Sequence, residues 1–244
     1  MFNPFDLETM LSTQDFKTTT CVLCFSGGQD STTLALWAKR AFKQTHLLGF
    51  DYDQKHAIEL TQAHTIARIL ELPYKVLHLS YLQEISASSL FAHTPHALNT
   101  PHPQALNLPS SFVPNRNALF STLAHAYAFS LGAQAVLLGV SMQDYSGYFD
   151  CRQDFLESLQ MSLNLGAFGK EGGIALLAPL MFATKAQEFQ LAHALGGLEL
   201  ILEQTHTCYA GVRQKRHDYG YGCGACPACQ LRQQGYIKFS KGLV

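Results

Sequence analysis

The sequence has little charge and no excess of either sign. Asp, Glu, Lys and Arg make up 14% of its 244 residues, and the formal net charge is −1. That balance argues against a chain that lives on electrostatic binding to nucleic acid. Long apolar runs are also missing. The longest, Ile174–Ala183, is broken by Pro179 and is too short to span a bilayer. The first ten residues contain Asp6 and Glu8 and lack the basic start and apolar centre of a secretion signal. There is no internal repeat and no low-complexity tract. What is present is 47% apolar content, enough to bury the core of one large α/β domain or of a domain with an appendage.

The most informative segment is Ser26-Gly27-Gly28-Gln29-Asp30-Ser31-Thr32-Thr33, directly after the apolar run Cys21–Phe25. A buried strand that breaks into Ser-Gly-Gly and then opens a helix, at Asp30 or Ser31, makes an anion cradle. The glycines allow a tight turn with bare N–H groups, and the hydroxyls and helix N-terminus add donors and positive dipole. A glycine turn at a helix cap would explain single residues but not the contiguous string. No Lys lies in the loop, so it is not the Walker type. It resembles the S-G-G-x-D-S pyrophosphate loop of ATP pyrophosphatases. That resemblance implies β- and γ-phosphates held as a leaving group while a substrate oxygen attacks the α-phosphorus. Candidate ATP-binding residues are Phe25, Ser26, Gly27, Gly28, Gln29, Asp30, Ser31, Thr32 and Thr33, with Asp51 at the end of the second strand. Such a loop and seven cysteines together point to a reducing cytoplasm.

Strand and helix patterns alternate along the chain. Strands are expected at Val22–Phe25, His46–Phe50, Tyr74–Leu79, Ala135–Gly139 and Ile174–Ala178. Helices are expected at Thr32–Phe42, 55–71, Asn117–Leu131, Phe155–Leu165 and Lys185–Leu195. This order predicts a doubly wound, mostly parallel sheet, Rossmann-like, with ligand groups at the strands' carboxyl ends. Residues 81–114 hold five prolines and read as a long loop, a functional lid or a disordered segment. The expected division is an α/β domain over 1–204 and a metal-binding segment over 205–244.

That segment contains Cys223, Cys226 and Cys229 in a C-x₂-C-x₂-C string, with Cys208 upstream. Four thiolates close a tetrahedral zinc site and leave no position for water, so the site would be structural. Iron–sulfur ligation uses similar spacing. Zinc is favoured because one closed site consumes these residues. Cys21 and Cys24 are also C-x-x-C, but in a strand they face opposite sides of the sheet. His93, His96 and His102 read as solvated loop histidines. Cys151 is either buried or near the site.

Further segments narrow the resemblance: Phe50–His56, Phe112–Asn117, Gly139–Arg152, Pro179-Leu180 with Lys185, and Thr207-Cys208-Tyr209. With the loop, in this order, they resemble the 7-cyano-7-deazaguanine synthase family from about residue 20 to the C-terminus. The resemblance implies conversion of 7-carboxy-7-deazaguanine, ammonia and ATP to the nitrile, through adenylated acid and amide, in queuosine precursor synthesis. It implies an adenine nucleotide alpha hydrolase type of fold and ATP, Mg²⁺ and Zn²⁺ as cofactors. Partners are then small molecules, not nucleic acid or membrane, with a homodimer as the assembly considered. Asp30 is the expected Mg²⁺ carboxylate and Lys185 the phosphate-neutralising lysine, against the plainer reading of a solvated lysine. Arg116 and Asn117, at a helix start that Asn115 could cap, are substrate candidates together with Asp144, Tyr145, Ser146, Asp150 and Arg152. Asp53, Asn115 and Phe149 stand where the family pattern has Gly, Gly and Pro; Asp and Asn tolerate left-handed backbone. Arg213, Lys215, Arg216 and His217 form a basic stretch that reads as a solvated loop, an anion contact or a subunit contact. Transfer of an activated deazaguanine carboxylate to another amine, adenylation on tRNA, and a non-catalytic zinc-knuckle module are the competing functions.

Overall fold

The computed structural model describes residues 6–53, 58–85, 88, 101–102, 105–109, 112–141 and 148–244. Helix α1 (Leu7–Ser12) starts at Asp6, whose carboxylate accepts from the Glu8 and Thr9 amides. Strand β1 (Thr20–Cys24) leads into α2 (Gln29–Ala41), then β2 (Gln44–Asp51), α3 (Ile58–Leu70) and β3 (Tyr74–His78). After a short α4 (Leu82–Ile85) come β4 (Pro101–His102) and β5 (Ala105–Pro109). Helix α5 (Arg116–Ser130), β6 (Ala135–Leu137), a 3₁₀ turn (Phe149–Cys151), α6 (Gln153–Phe168), β7 (Ala175–Leu177) and α7 (Lys185–Ala194) complete the alternation. The C-terminal part adds α8 (Leu198–Gln204), a small hairpin β8 (Arg216–His217) and β9 (Gly220–Tyr221), and α9 (Pro227–Ser240).

The main sheet is parallel in the order β3-β2-β1-β6-β7. Alternate residues of each strand feed opposite layers, as a period of two requires. Cys21, Leu23, Leu47 and Leu137 pack under α2 and α3, whereas Val22, Leu48, Val136 and Leu176 pack with α5 and α6 residues. Burial on both faces explains why these strands read as continuous apolar runs. Cys21 falls in the first layer and Cys24 in the second, as expected of residues three apart on a strand. The doubly wound architecture is the predicted one.

Residues 81–114 are not wholly loop. They include α4 and an antiparallel pairing of β4 with β5. Prolines at the ribbon's ends, Pro101 opposite Pro109, hid it, because a residue without an N–H reads as a strand breaker. Helices α1, α8 and α9 and the β8–β9 hairpin also went unpredicted.

Helix α9 lies against α7 at very short range. A Cβ added to Gly235 would sit 2.5 Å from the Cβ of Lys185, so only glycine fits there. Around this contact Phe189 of α7 meets Tyr236 and Phe239 of α9, with ring centroids 5.3 and 5.9 Å apart. Gly235→Val should therefore lower stability by about 1–3 kcal/mol through overpacking. Urea unfolding at fixed pH checks it.

Candidate active site

Chain order reverses between β1 and β6, the point where a doubly wound sheet opens a crevice at its carboxyl edge. The loop after β1 fills that crevice. Gly27 adopts φ +77, and a Cβ there would stand 2.8 Å from the Ala63 backbone nitrogen of α3. Glycine is thus required twice, by conformation and by space. Its carbonyl accepts from the His206 amide at 3.1 Å, which ties the loop to the segment before the cysteine cluster. The Gly28 amide donates to Ser26 Oγ at 3.3 Å, and Ser26 Oγ lies 3.2 Å from Ser31 Oγ. Gly28 caps α2, so helix begins at Gln29, slightly earlier than expected. The first amides of α2 have no intrahelical acceptor, and its first residues, Gln29, Asp30 and Ser31, line the crevice.

The crevice continues as a cavity of about 280 Å³. Phe25, Ser26, Gly28, Gln29, Asp30 and Ser31 line it, together with Arg116 and Asn117. Thr32 and Thr33 lie fully buried behind the loop. Lys185 lines a smaller adjoining cavity that shares Gln29, Asp30, Thr207 and Tyr209 with the first.

Lys185 is buried rather than solvated. Its Nζ sits 2.6 Å from Asp30 Oδ2 and 3.1 Å from Glu188 Oε1. Gln29 Nε2 donates to Glu188 Oε2 at 3.2 Å. Burial works to raise the Asp30 carboxyl, but the Lys185 ammonium and hydrogen bonds from Glu188 and Lys185 hold it below the usual range. Glu188 goes the other way. Burial and the Asp30 charge push it well above the ordinary value, and Lys185 offsets them only in part. Of the two carboxyls that face Lys185, Asp30 is the one held low and Glu188 the one pushed up.

The other wall is aromatic. Phe50 and Phe120 stack at 4.1 Å, and Tyr52 is tilted against Phe120 at 5.7 Å. The Arg116 guanidinium lies 6.0 Å from the Phe120 ring centroid. Burial opposes its charge, but Tyr52, Tyr148 and the Asp150 carboxylate outweigh that and raise Arg116 above its ordinary value. Glu59, in the first turn of α3, also lines the cavity. Burial pushes its carboxyl up to about 7 against the pull of Arg116.

Several sequence candidates are not gathered here. Asp51 is paired with His78 at 3.1 Å and is not among the lining residues. Arg152 is exposed, 4.8 Å from the Phe149 ring centroid, and does not line the cavity either. Asp150 takes up the start of α5: its oxygens accept from the Asn117 amide at 3.1 Å and Asn117 Nδ2 at 3.2 Å. Asn115 makes no side-chain cap bond there. Asp144, Tyr145 and Ser146, like His93 and His96, lie outside the described residues. Cys151 is both buried and in the cavity wall, where Asn117 Nδ2 donates to its sulfur at 3.2 Å. Sequence reasoning missed Glu59, Phe120 and Tyr148. For Glu59 a signal existed: an acidic residue in the first helical turn after a strand's carboxyl end.

The basic stretch is partly internal. Arg213 donates to the carbonyls of Thr205 and Glu203, and Arg216 pairs with the Glu203 carboxylate at 2.5 Å. These two arginines staple the loop to α8 and are not held out for an anion.

The sulfurs of Cys208, Cys223, Cys226 and Cys229 all lie within 4.8 Å of one another. Amides of Cys223, Ala225 and Cys226 point at cluster sulfurs from 3.2 to 3.4 Å. A Cβ on Gly222 would fall 2.5 Å from Cys229 Sγ. Converging sulfurs with N–H donors aimed at them suit thiolates around one ion. Cys226 is also the N-cap of α9, whose dipole favours negative sulfur.

A family model described as queuosine biosynthesis protein QueC matches residues 20–240. The chain is 54% identical over 219 residues to a 7-cyano-7-deazaguanine synthase of Helicobacter pylori, which covers 90% of this chain and 95% of the relative. It is 43% identical over 235 residues to one from Wolinella succinogenes, which covers 96% of this chain and 100% of that relative. A solved 4-thiouridine synthetase–RNA complex with bound ATP has a TM-score of 0.50 at 17% identity, covering 91% of this chain and 52% of that one. It shares the fold.

Two outcomes follow from this geometry. Cys229→Ser should lose bound metal and melt at a lower temperature, because metal binding and local folding are coupled; elemental analysis beside thermal denaturation checks both. Glu188→Gln should gain stability relative to the parent as pH rises from about the ordinary Glu value of 4.5. Above that pH the unfolded chain releases a proton that the folded chain retains, so parent stability falls with pH, whereas glutamine holds no proton to release. Urea unfolding across pH 4.5 to 8 measures the widening gap.

Proposed function

The chain belongs to the queuosine biosynthesis protein QueC family, the 7-cyano-7-deazaguanine synthases, and we propose that it makes the nitrile from 7-carboxy-7-deazaguanine, ammonia and ATP. The observation that carries this reading is the Ser26–Ser31 cradle at the switch point, joined to an aromatic-walled cavity. The cradle suits a pyrophosphate leaving group. The aromatic wall suits a planar fused base.

A carboxylate is a poor electrophile, so one of its oxygens first attacks the α-phosphorus and AMP becomes its leaving group. Ammonia displaces AMP and gives the amide. The amide oxygen is then adenylated in turn, and elimination with loss of the N–H protons yields the nitrile. Both attacks start from an oxygen on the same C7 substituent, so one cradle serves twice. The amides of α2 and the Lys185 ammonium face charge that grows on the departing pyrophosphate. Asp30 would hold Mg²⁺, which when bound neutralises phosphate charge. The four cysteines would hold a structural Zn²⁺. A near-neutral chain fits small-molecule substrates, and reduced cysteines fit the cytoplasm.

The products should be AMP and pyrophosphate, never ADP and phosphate. Synthetic 7-amido-7-deazaguanine with ATP and no ammonia should give nitrile and AMP. Conversion of the acid without any conversion of the amide would sink the two-step scheme.

A further inference from the structure

We propose, on the reading that this cavity receives a carboxylated deazaguanine, that Glu59 and Arg116 form the subsite that reads the base's guanine-like edge. In purine numbering, the Glu59 carboxylate accepts from N1–H and the exocyclic N2 amine, and Arg116 donates to O6.

Both residues line the cavity, and their charges act on each other. Glu59 lines the cavity, and no hydrogen bond or ion pair joins its carboxyl to another of the described residues. The Arg116 Nε–H is buried and has no hydrogen-bond partner among the described residues. A double acceptor beside a donor is the complement of two adjacent N–H groups beside a carbonyl, which is the guanine edge. Adenine offers a donor beside an acceptor, so a carboxylate there would meet one lone pair of like sign. The ATP base is therefore the poorer match.

Position agrees with chemistry. Glu59 and Ala63 are four residues apart on α3, hence on one face and about 6 Å apart along it. Ala63 is the residue pressed against Gly27 of the cradle. A fused bicycle with its C7 substituent at the cradle has its opposite edge about one helical turn away. Phe50, Tyr52 and Phe120 supply the flat wall between. Among the described residues, the acidic substrate candidate Asp150 is already committed, because it accepts from Asn117 through both oxygens.

The test is direct binding without ATP, so it does not depend on turnover. Calorimetry compares 7-carboxy-7-deazaguanine with its analogue lacking the 2-amino group, 7-carboxy-7-deazahypoxanthine. The parent protein should prefer the first by about 100-fold, the size expected for one hydrogen bond to a charged group. Glu59→Gln should cut that preference to a few-fold. Arg116→Gln should weaken both bases alike and leave the ratio intact, since both carry O6. Circular dichroism confirms folding, and Glu59→Asp, which shortens the carboxylate by one methylene, should give an intermediate ratio should glutamine prove disruptive. Full discrimination in Glu59→Gln overturns the proposal, and so does a parent protein that binds the two bases equally. Failure of AMP formation with the discrimination intact would instead count against the proposed reaction alone.

Discussion

Lys185 stands in the first turn of α7, where the helix dipole disfavours a cation, and it is buried. Such a placement survives only with compensation, and Asp30 at 2.6 Å and Glu188 at 3.1 Å supply it. Asp30 itself stands in the first turn of α2, so the pair draws two helix N-termini toward one point. Burial of an ion pair seldom adds net stability, because desolvation cancels much of the attraction. What the pair secures here is geometry. It orients the cradle of α2 and the start of α7 together, and Gly235 of α9 rests on the same lysine's Cβ. Loop, helix and C-terminal segment are thereby fixed to one another.

The C-terminal segment reaches the cavity through a second buried cation. Arg232 of α9 is 2% exposed. Its guanidinium donates to the hydroxyls of Thr205 and Thr207 and to the carbonyls of Tyr219 and Ile201, at 2.7 to 2.9 Å. Burial brings it down to about 10, so it stays charged at neutral pH. The group joins α8, the 205–207 strand of chain and the β8–β9 hairpin to α9. A metal held by the four cysteines would stiffen this arrangement, and its effect on the site is positional: Thr207 and Tyr209 are cavity wall.

The sheet was legible because its central strands β1, β2 and β6 are buried on both faces and so read as apolar runs between helical periods. The cradle was legible because its residues are contiguous, and the cysteine cluster because metal ligation demands a fixed short spacing. The β4–β5 ribbon, by contrast, has prolines where a strand should donate. Helix α9 begins inside the cysteine motif, where ligand spacing masked the helical signal of Pro227 at its first position. The aromatic wall was missed for another reason. Phe50, Tyr52, Phe120 and Tyr148 come from three chain segments, and each alone looks like ordinary core.

Two positions where the resemblance led to an expectation of glycine show how local sequence and site geometry meet. Asp53 and Asn115 take φ +53 and +56, the left-handed region that these side chains tolerate best. Asn115 in that conformation cannot also cap α5 with its side chain, and it makes no such bond. The orphan amide of Asn117 is satisfied instead from across the chain by Asp150. One residue turns the backbone and a distant one accepts the amide. Asp150 also adds its charge to those that keep Arg116 cationic. A residue that sequence placed on the substrate thus acts on the helix end that carries Arg116. A carboxylate 34 positions away in sequence from Arg116 thus closes the first turn of the helix that carries it.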